Sequence, residues 1–242
     1  VADSPGQTPF NPLLIYSETG LGKTHLLQAI GNSLLEISPN TKIVYLTSEK
    51  FMLDFITAIQ NNKSAEFSKQ YRNVDMLLID DVQFFQNKEQ TQEQFFHLFN
   101  DLHHRGKQIV MTTDRHPNEL RGLKNRLISR FQSGLIVDIQ PPDLETRIAI
   151  LMKKADSEGL EISFDIIEFI ASSITENVRD LEGALIRLLA FASLKRQDIN
   201  MVLAKQVILD IMGTSAFENI TIDHVLKVVS KEMRITERQL IG

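Results

Sequence analysis

Residues 13–27 read Leu-Leu-Ile-Tyr-Ser-Glu-Thr-Gly-Leu-Gly-Lys-Thr-His-Leu-Leu. A short apolar run, Leu13–Tyr16, has strand character, and the residues from Lys23 onward have helical periodicity. Between them stands Ser17-Glu18-Thr19-Gly20-Leu21-Gly22-Lys23-Thr24. This meets the phosphate-loop formula G-x-x-x-x-G-K-[ST] at every fixed position except the first, where Ser17 replaces Gly. Gly20 and Gly22 allow backbone N–H groups to curl around phosphate oxygens, and the helix start adds its partial positive charge. Lys23 is placed to reach the β- and γ-phosphates, and Thr24 to ligate Mg²⁺. Glu18 puts a carboxylate beside that loop, so Ser17 and Glu18 are expected to weaken nucleotide affinity without abolishing it.

Further strands flank this unit at Ile43–Thr47, Met76–Asp80, Gln108–Thr113 and 135–139, rich in β-branched residues and Leu and without polar alternation. Such strands are buried on both faces. Helical stretches fall between them at 23–36, 48–60, 64–71, 91–105 and 117–130. The alternation predicts a mostly parallel sheet with helices on both faces. After Pro141–Pro142 the strands stop. Helices are expected at 143–156, with Ile148, Leu151, Met152 and Ala155 as a stripe, and at 165–173. Two more are expected at 178–194, with Asn177 as an N-cap, and at 201–211. The domain reading is 1–140 for the α/β part, 141–213 for a helical part, and 214–242 for a linker with one last helix at 221–233.

The third predicted strand ends Leu78-Ile79-Asp80-Asp81. An apolar strand closing on two carboxylates some fifty residues after a phosphate loop is a Walker B pattern. It gives Asp80 to Mg²⁺ through water and Asp81 to the attacking water. The fourth ends Thr112-Thr113-Asp114, where a polar tip would hold the water or sense the γ-phosphate; from spacing alone a loop cap fits as well. Arg126 and Arg130 stand four apart on one helix face, either solvated or projecting into a neighbour's site. Arg179 is either a surface residue or a phosphate contact.

The 242 residues carry a net charge of -5, 43% hydrophobic and 24% charged residues, and no cysteine. This is ordinary globular composition. The absence of Cys excludes a disulfide scaffold, a thiol nucleophile and Cys-ligated metal. None of the six His is spaced as a metal site. The longest apolar runs are strand-sized, so no membrane span is expected. The chain begins with Val1 and has no signal-peptide pattern, which suggests a piece of a cytoplasmic protein. The acidic balance argues against a strong non-specific grip on nucleic acid.

Several blocks together resemble the bacterial DnaA family, AAA+ initiators of chromosome replication. They are Asn11-Pro12-Leu13, Gly20–Leu27, Ser48-Glu49-Lys50-Phe51, Leu78–Phe84, Thr113-Asp114-Arg115, Ser129-Arg130-Phe131 and Asn177–Ala184. The resemblance runs over essentially the whole chain. It implies an AAA+ fold with a five-stranded parallel sheet in order 5-1-4-3-2 and a helical lid. It implies ATP or ADP with Mg²⁺, held by Gly20, Leu21, Gly22, Lys23, Thr24 and His25 and, for the metal, Thr24 and Asp80. Asp114 becomes sensor 1, Arg179 sensor 2, and Arg130 with Arg126 the arginines that act on a neighbouring protomer's ATP. ATP then acts as a switch, driving self-association into a filament on origin DNA, with slow hydrolysis as reset. Residues 48–71 match the initiator-specific helices. Met52, Lys88 and Thr91 match positions that hold single-stranded DNA, and Gln90 stands where the family commonly has arginine. Helicase and regulatory proteins are further implied partners. The chain is expected to begin after the adenine-contacting segment and to hold only the first helix of the duplex-reading domain.

Two other classes compete with that reading. A DnaA-related regulator or helicase loader shares the core, but the 48–71 insertion and the pairing of Ser129-Arg130-Phe131 with Asn177-Val178-Arg179 favour the initiator. A phosphoryl-transferring enzyme for a small substrate lacks support from the helical part and the arginine pair.

Overall fold

The non-alternating apolar strands form a single sheet whose two faces are both covered. The computed structural model describes residues 1–212 apart from Asp3 and Thr8. The linker and helix expected beyond residue 212 lie outside those residues. The described chain folds as two compact units, 1–142 with 177–179, and 143–176 with 180–212.

In the first unit β1 (Leu13–Tyr16), β2 (Ile43–Thr47), β3 (Met76–Asp80), β4 (Gln108–Thr113) and β5 (Leu135–Asp138) make a parallel sheet in the order β2-β3-β4-β1-β5. This is the expected order. β3 and β4, in the interior, are buried at every residue. Side chains alternate between faces. Leu13, Ile15, Met76, Leu78 and Val110 meet Leu27 and Leu34 of α1 (Lys23–Ile37). Gly31 lets α1 sit close on the sheet, since a Cβ there would lie 2.8 Å from Leu78 Cδ1. The other face, with Leu14, Leu77, Ile79, Ile109 and Met111, packs against α2 (Ser48–Gln60), α3 (Ser64–Arg72), α4 (Glu89–His104) and α5 (Asn125–Phe131). An aromatic cluster anchors that side: the ring of Phe51 lies 5.3–5.8 Å from those of Phe67, Tyr71, Phe85 and Phe95.

The helix expected over 117–130 is broken. Residues Pro117–Glu119 form a 3-10 turn, and α5 starts only at Asn125. Gly122 adopts φ +86°, a left-handed conformation that no helix interior accommodates. Burial of Leu120 and Leu123 then holds the loop against the core.

Among the described residues the second unit holds α6 (Leu144–Ser157), α7 (Phe164–Ser173), α9 (Met201–Met212) and α8 (Val178–Lys195) from Asp180 onward, the first two residues of α8 clustering with the first unit. The Oδ1 of Asp143 caps α6, accepting from the Thr146 N–H at 2.8 Å, so Asp143 stands before the helix rather than in it. Leu151, Ala155, Ile166, Ile170, Leu181, Leu185, Leu188 and Ile208 form its core. Met152, expected in the buried stripe, is exposed. No described helix is long and apolar enough to cross a membrane.

Candidate nucleotide-binding site

The carboxyl ends of β1, β3 and β4 converge at the N-terminus of α1, where a parallel sheet binds ligands. Gly20 and Gly22 have φ of +91° and +92°. Gly22 is the residue that turns the chain into α1. A Cβ on Gly20 would lie 3.0 Å from the side chain of Asn177, which with Val178 and Arg179 clusters with this unit. The Val178 and Arg179 N–H groups donate to the Gly20 carbonyl at 3.0 and 3.2 Å. Leu21 is buried beneath the loop, whereas Thr24 and His25 are exposed on α1.

Lys23 is 8% exposed. Its Nζ donates to the carbonyls of Ser17 at 2.7 Å and Glu18 at 2.8 Å, and to Ser17 Oγ at 3.3 Å. Burial pushes the Lys23 ammonium below its ordinary value; Asp81, Asp114 and Asp80 oppose this, and Arg179 adds to it. Ser17, the departure from the loop formula, is therefore one of the groups that hold the lysine. Glu18 turns its side chain to solvent.

Register explains the carboxylate arrangement. Leu78 pairs with Val110 and Ile79 with Met111, so Asp80 and Thr112 come next, both on the α1 face. Thr24 Oγ1 donates to Asp80 Oδ2 at 2.7 Å, and Thr112 Oγ1 donates to Asp80 Oδ1. The Thr112 hydroxyl also accepts from the Asp81 N–H at 2.9 Å. Tyr45 pairs with Leu78 one residue pair earlier on the same face, and its long side chain brings OH to 3.3 Å from Asp80 Oδ2. Burial, then Asp80, holds its phenol above the ordinary value. Asp81 itself stands at φ +58°, unusual for a non-glycine residue. Ser48 Oγ donates to its carbonyl at 2.6 Å and Gln83 Nε2 to its Oδ1 at 2.9 Å.

This arrangement brings Lys23, Thr24, Asp80 and Asp81 together, as the sequence predicts, and adds Thr112 and Tyr45, which it does not. The missed signal is positional. Parallel register and a period of two place Tyr45, Asp80 and Thr112 on one face once the strands are aligned. Asp114 lies near enough to raise the Lys23 value, and its carboxylate is bidentate on Arg115, at 2.6 and 3.0 Å. Thr113, on the opposite face, has a buried hydroxyl with no partner among the described residues.

The other expected residues are placed as follows. Arg126 pairs with Glu93 of α4 and lies 4.6 Å from the Phe96 ring centroid. Arg130, on the next turn of α5, has no ion pair among the described residues. Arg179 is exposed, Met52 half-buried and Lys88 exposed at the start of α4. Thr91, expected beside Lys88 at a DNA strand, is only 4% exposed. It stands four residues before Phe95 on the core-facing side of α4, which is why its side chain turns inward.

Loop, carboxylates and hydroxyls fit a nucleotide with a divalent cation. Left-handed glycines free the loop amides, and a buried ammonium faces the same space as two strand-end carboxylates. The α/β unit matches the family described as bacterial DnaA ATPase domain over residues 1–138. The whole chain is 52% identical to a chromosomal replication initiator protein DnaA of Lacticaseibacillus casei and spans 54% of that protein's length. Domain III of the Thermotoga maritima replication initiation protein DnaA superposes with a TM-score of 0.83 at 42% identity, covering 88% of each chain. A replication initiator DnaA bound to AMPPCP and single-stranded DNA superposes with a TM-score of 0.72 at 34% identity, covering 93% of this chain and 69% of that one. With the sheet order and the phosphate loop, these matches make the chain an AAA+ module that belongs to the bacterial DnaA ATPase domain family.

Proposed function

We propose that this chain is the ATP-switched core of a replication initiator, binding ATP–Mg²⁺ or ADP, engaging single-stranded DNA and hydrolysing ATP slowly within a self-assembled filament on origin DNA. The observation that carries the proposal is the chain of contacts from Thr24 through Asp80 to Thr112 at the mouth of a glycine loop that buries Lys23. When bound, ATP supplies the phosphoanhydride, and Mg²⁺ neutralises charge on its phosphate oxygens. The amides of Gly20–His25 and the Lys23 ammonium bind the phosphates, while Thr24 and Asp80 hold the cation. Asp81, fixed by Ser48, Gln83 and Thr112, orients the attacking water and takes up its proton. Asp114 and Arg179 stand beside the phosphates as sensors, and Arg130 reaches the site of a neighbouring copy.

Met52 and Lys88 offer surface to a single strand. Thr91 would contribute its backbone N–H, which lies in the first turn of α4. Gln90 carries no charge, so each copy holds the strand weakly. Domain boundaries near 140 and 213 belong to the same proposal. Equilibrium binding of ATP and ADP, then of a single-stranded oligonucleotide in each state, tests it. Lys23→Ala is expected to remove nucleotide binding; full affinity in that variant overturns the phosphate-loop role.

A further inference from the structure

Gln92 is a polar side chain on the buried face of α4, only 2% exposed. Every N–H of its amide is used. Nε2 donates to the Phe85 carbonyl at 2.8 Å and to the Gly122 carbonyl at 2.9 Å, and Oε1 accepts from the Lys124 N–H at 2.8 Å. Phe85 ends the 3-10 turn Val82–Phe85 that follows Asp80 and Asp81. Lys124 is the residue that opens α5. One side chain therefore ties the segment after the Walker B carboxylates to the start of the helix that carries Arg126 and Arg130.

A second tie runs alongside. The Asn87 N–H donates to the Gly122 carbonyl at 3.0 Å. Gly122 stands at φ +86°, and a Cβ there would fall 2.4 Å from Asn87 Oδ1, so the two loops touch backbone to side chain. The next residue of α4, Glu93, faces outward and pairs with Lys124 at 3.4 Å and with Arg126. Gln92 thus grips the backbone of the α5 entrance while Glu93 grips its side chains. α5 has seven residues, about two turns. A helix that short has no stability of its own, and its direction is set by what holds its ends and its buried face.

We infer that Gln92 is the positioning residue for Arg130, making α5 and the segment after Asp81 one mechanical piece. This rests on the proposed action of Arg130 on a neighbour's ATP. Truncating the amide leaves α5 attached through Leu127 and Phe131 but lets its entrance shift. A displacement of about 1 Å at a positioned catalytic group costs on the order of a hundredfold in rate.

The test uses the full chain with Gln92→Met, close in volume but without the hydrogen bonds, and Gly122→Ala, which strains the same junction from outside α4. ATP affinity is read by equilibrium titration, folding by near-ultraviolet circular dichroism, and hydrolysis at saturating ATP against protein concentration. In whichever variant keeps the folded spectrum, kcat is expected to fall on the order of a hundredfold while the Kd for ATP stays within about twofold. Copies carrying Asp81→Asn, silent in their own site but presenting an intact Arg130, are then added in excess. They are expected to restore hydrolysis by Gln92→Met copies, and the double variant Asp81→Asn with Gln92→Met is expected not to. Normal kcat in Gln92→Met, or a defect that Asp81→Asn copies do not relieve, overturns the inference. Arg130→Ala is measured in parallel: full hydrolysis there overturns the reading beneath it, whereas loss in Arg130→Ala with none in Gln92→Met overturns the role of Gln92 alone.

Discussion

Replacing Thr112 with Val tests the carboxylate arrangement directly. Thr112 is 0% exposed, and its hydroxyl makes two bonds, one from the Asp81 N–H at 2.9 Å and one to Asp80 Oδ1. Valine has nearly the same shape, so no cavity opens and the effect is that of the lost hydroxyl. The Asp81 amide loses its partner in a buried setting, costing about 1–3 kcal/mol, and a hydrogen bond to a charged acceptor contributes about 1.5–3 kcal/mol. Asp80 keeps Thr24 at 2.7 Å and Tyr45 at 3.3 Å, so the two losses overlap. The net is about 2–4 kcal/mol. At roughly 2–4 °C per kcal/mol for a chain of this size, the melting point of the sheet unit falls by roughly 5–15 °C. Thermal denaturation by circular dichroism reads the shift without nucleotide. Thr112→Ser keeps both bonds and loses only a methyl, about 1 kcal/mol. A Val variant melting within about 1 °C of the parent, or a Ser variant falling as far as Val, refutes the reasoning.

Arg130→Ala should leave ATP binding near normal and remove concentration-dependent hydrolysis by on the order of a thousandfold, because a trans-acting arginine contributes only to the assembled transition state. Arg126→Ala should do less, since its guanidinium is already engaged by Glu93 and Phe96; steady-state kinetics against protein concentration separates the two. Replacing Ser17 and Glu18 together with Gly should tighten ATP, read by calorimetry, and no gain in affinity sinks that expectation. Hydrogen bonds from Lys107 and from the Lys42 N–H hold the Asp75 carboxyl below its ordinary value. Its contribution is therefore present above the unfolded carboxylate range near pH ~4 and is lost as pH falls through the lower folded value. The pair is partly exposed, so Asp75→Asn should flatten the acid limb of a stability–pH curve by less than about 1 kcal/mol.

The sheet and its nucleotide loop were legible because their signals are local. Strand, glycine turn, lysine and helix follow one another within residues 13–27, and each carries its own physical demand. The described helices of the second unit are legible from their apolar periodicity, although Met152 shows that a stripe four residues wide includes a solvent-facing edge. What local pattern does not carry is juxtaposition. Thr112 and Tyr45 become partners of Asp80 only through the order and register of β2, β3 and β4. Gln92 reads as one more polar residue in Lys88-Glu89-Gln90-Thr91-Gln92, yet it shares the buried face of α4 with Phe95, Phe99 and Leu102. A glutamine at such a position needs three partners, and these come from segments 7 to 32 residues away along the chain. The break at Gly122 was hidden for a similar reason: a single glycine weakens a helix without ending it, and the tie to Asn87 decides.

The net charge of -5 takes on a different meaning once the charges are placed. Asp80, Asp81 and Asp114 all act on Lys23, so part of the acidic excess is gathered at the mouth of the phosphate loop. These carboxylates repel a polyphosphate that the loop amides, Lys23 and Arg179 attract, so a divalent cation held by Thr24 and Asp80 would offset their charge and strengthen the proposed ATP binding. On the proposed DNA surface the charges nearly cancel, because the exposed Glu89 stands beside Lys88. Lys88 stands exposed, Gln90 adds no charge, and Thr91 presents almost no side chain. One phosphate neutralised per copy gives a salt slope of about 0.7 for that copy on a single strand, too shallow for a firm grip. The slope for an assembly rises with the number of copies on the strand, because each adds its own lysine and its own helix start. Affinity for single-stranded DNA on this reading is a property of assembled copies, and ATP controls it by controlling assembly rather than by changing any one contact.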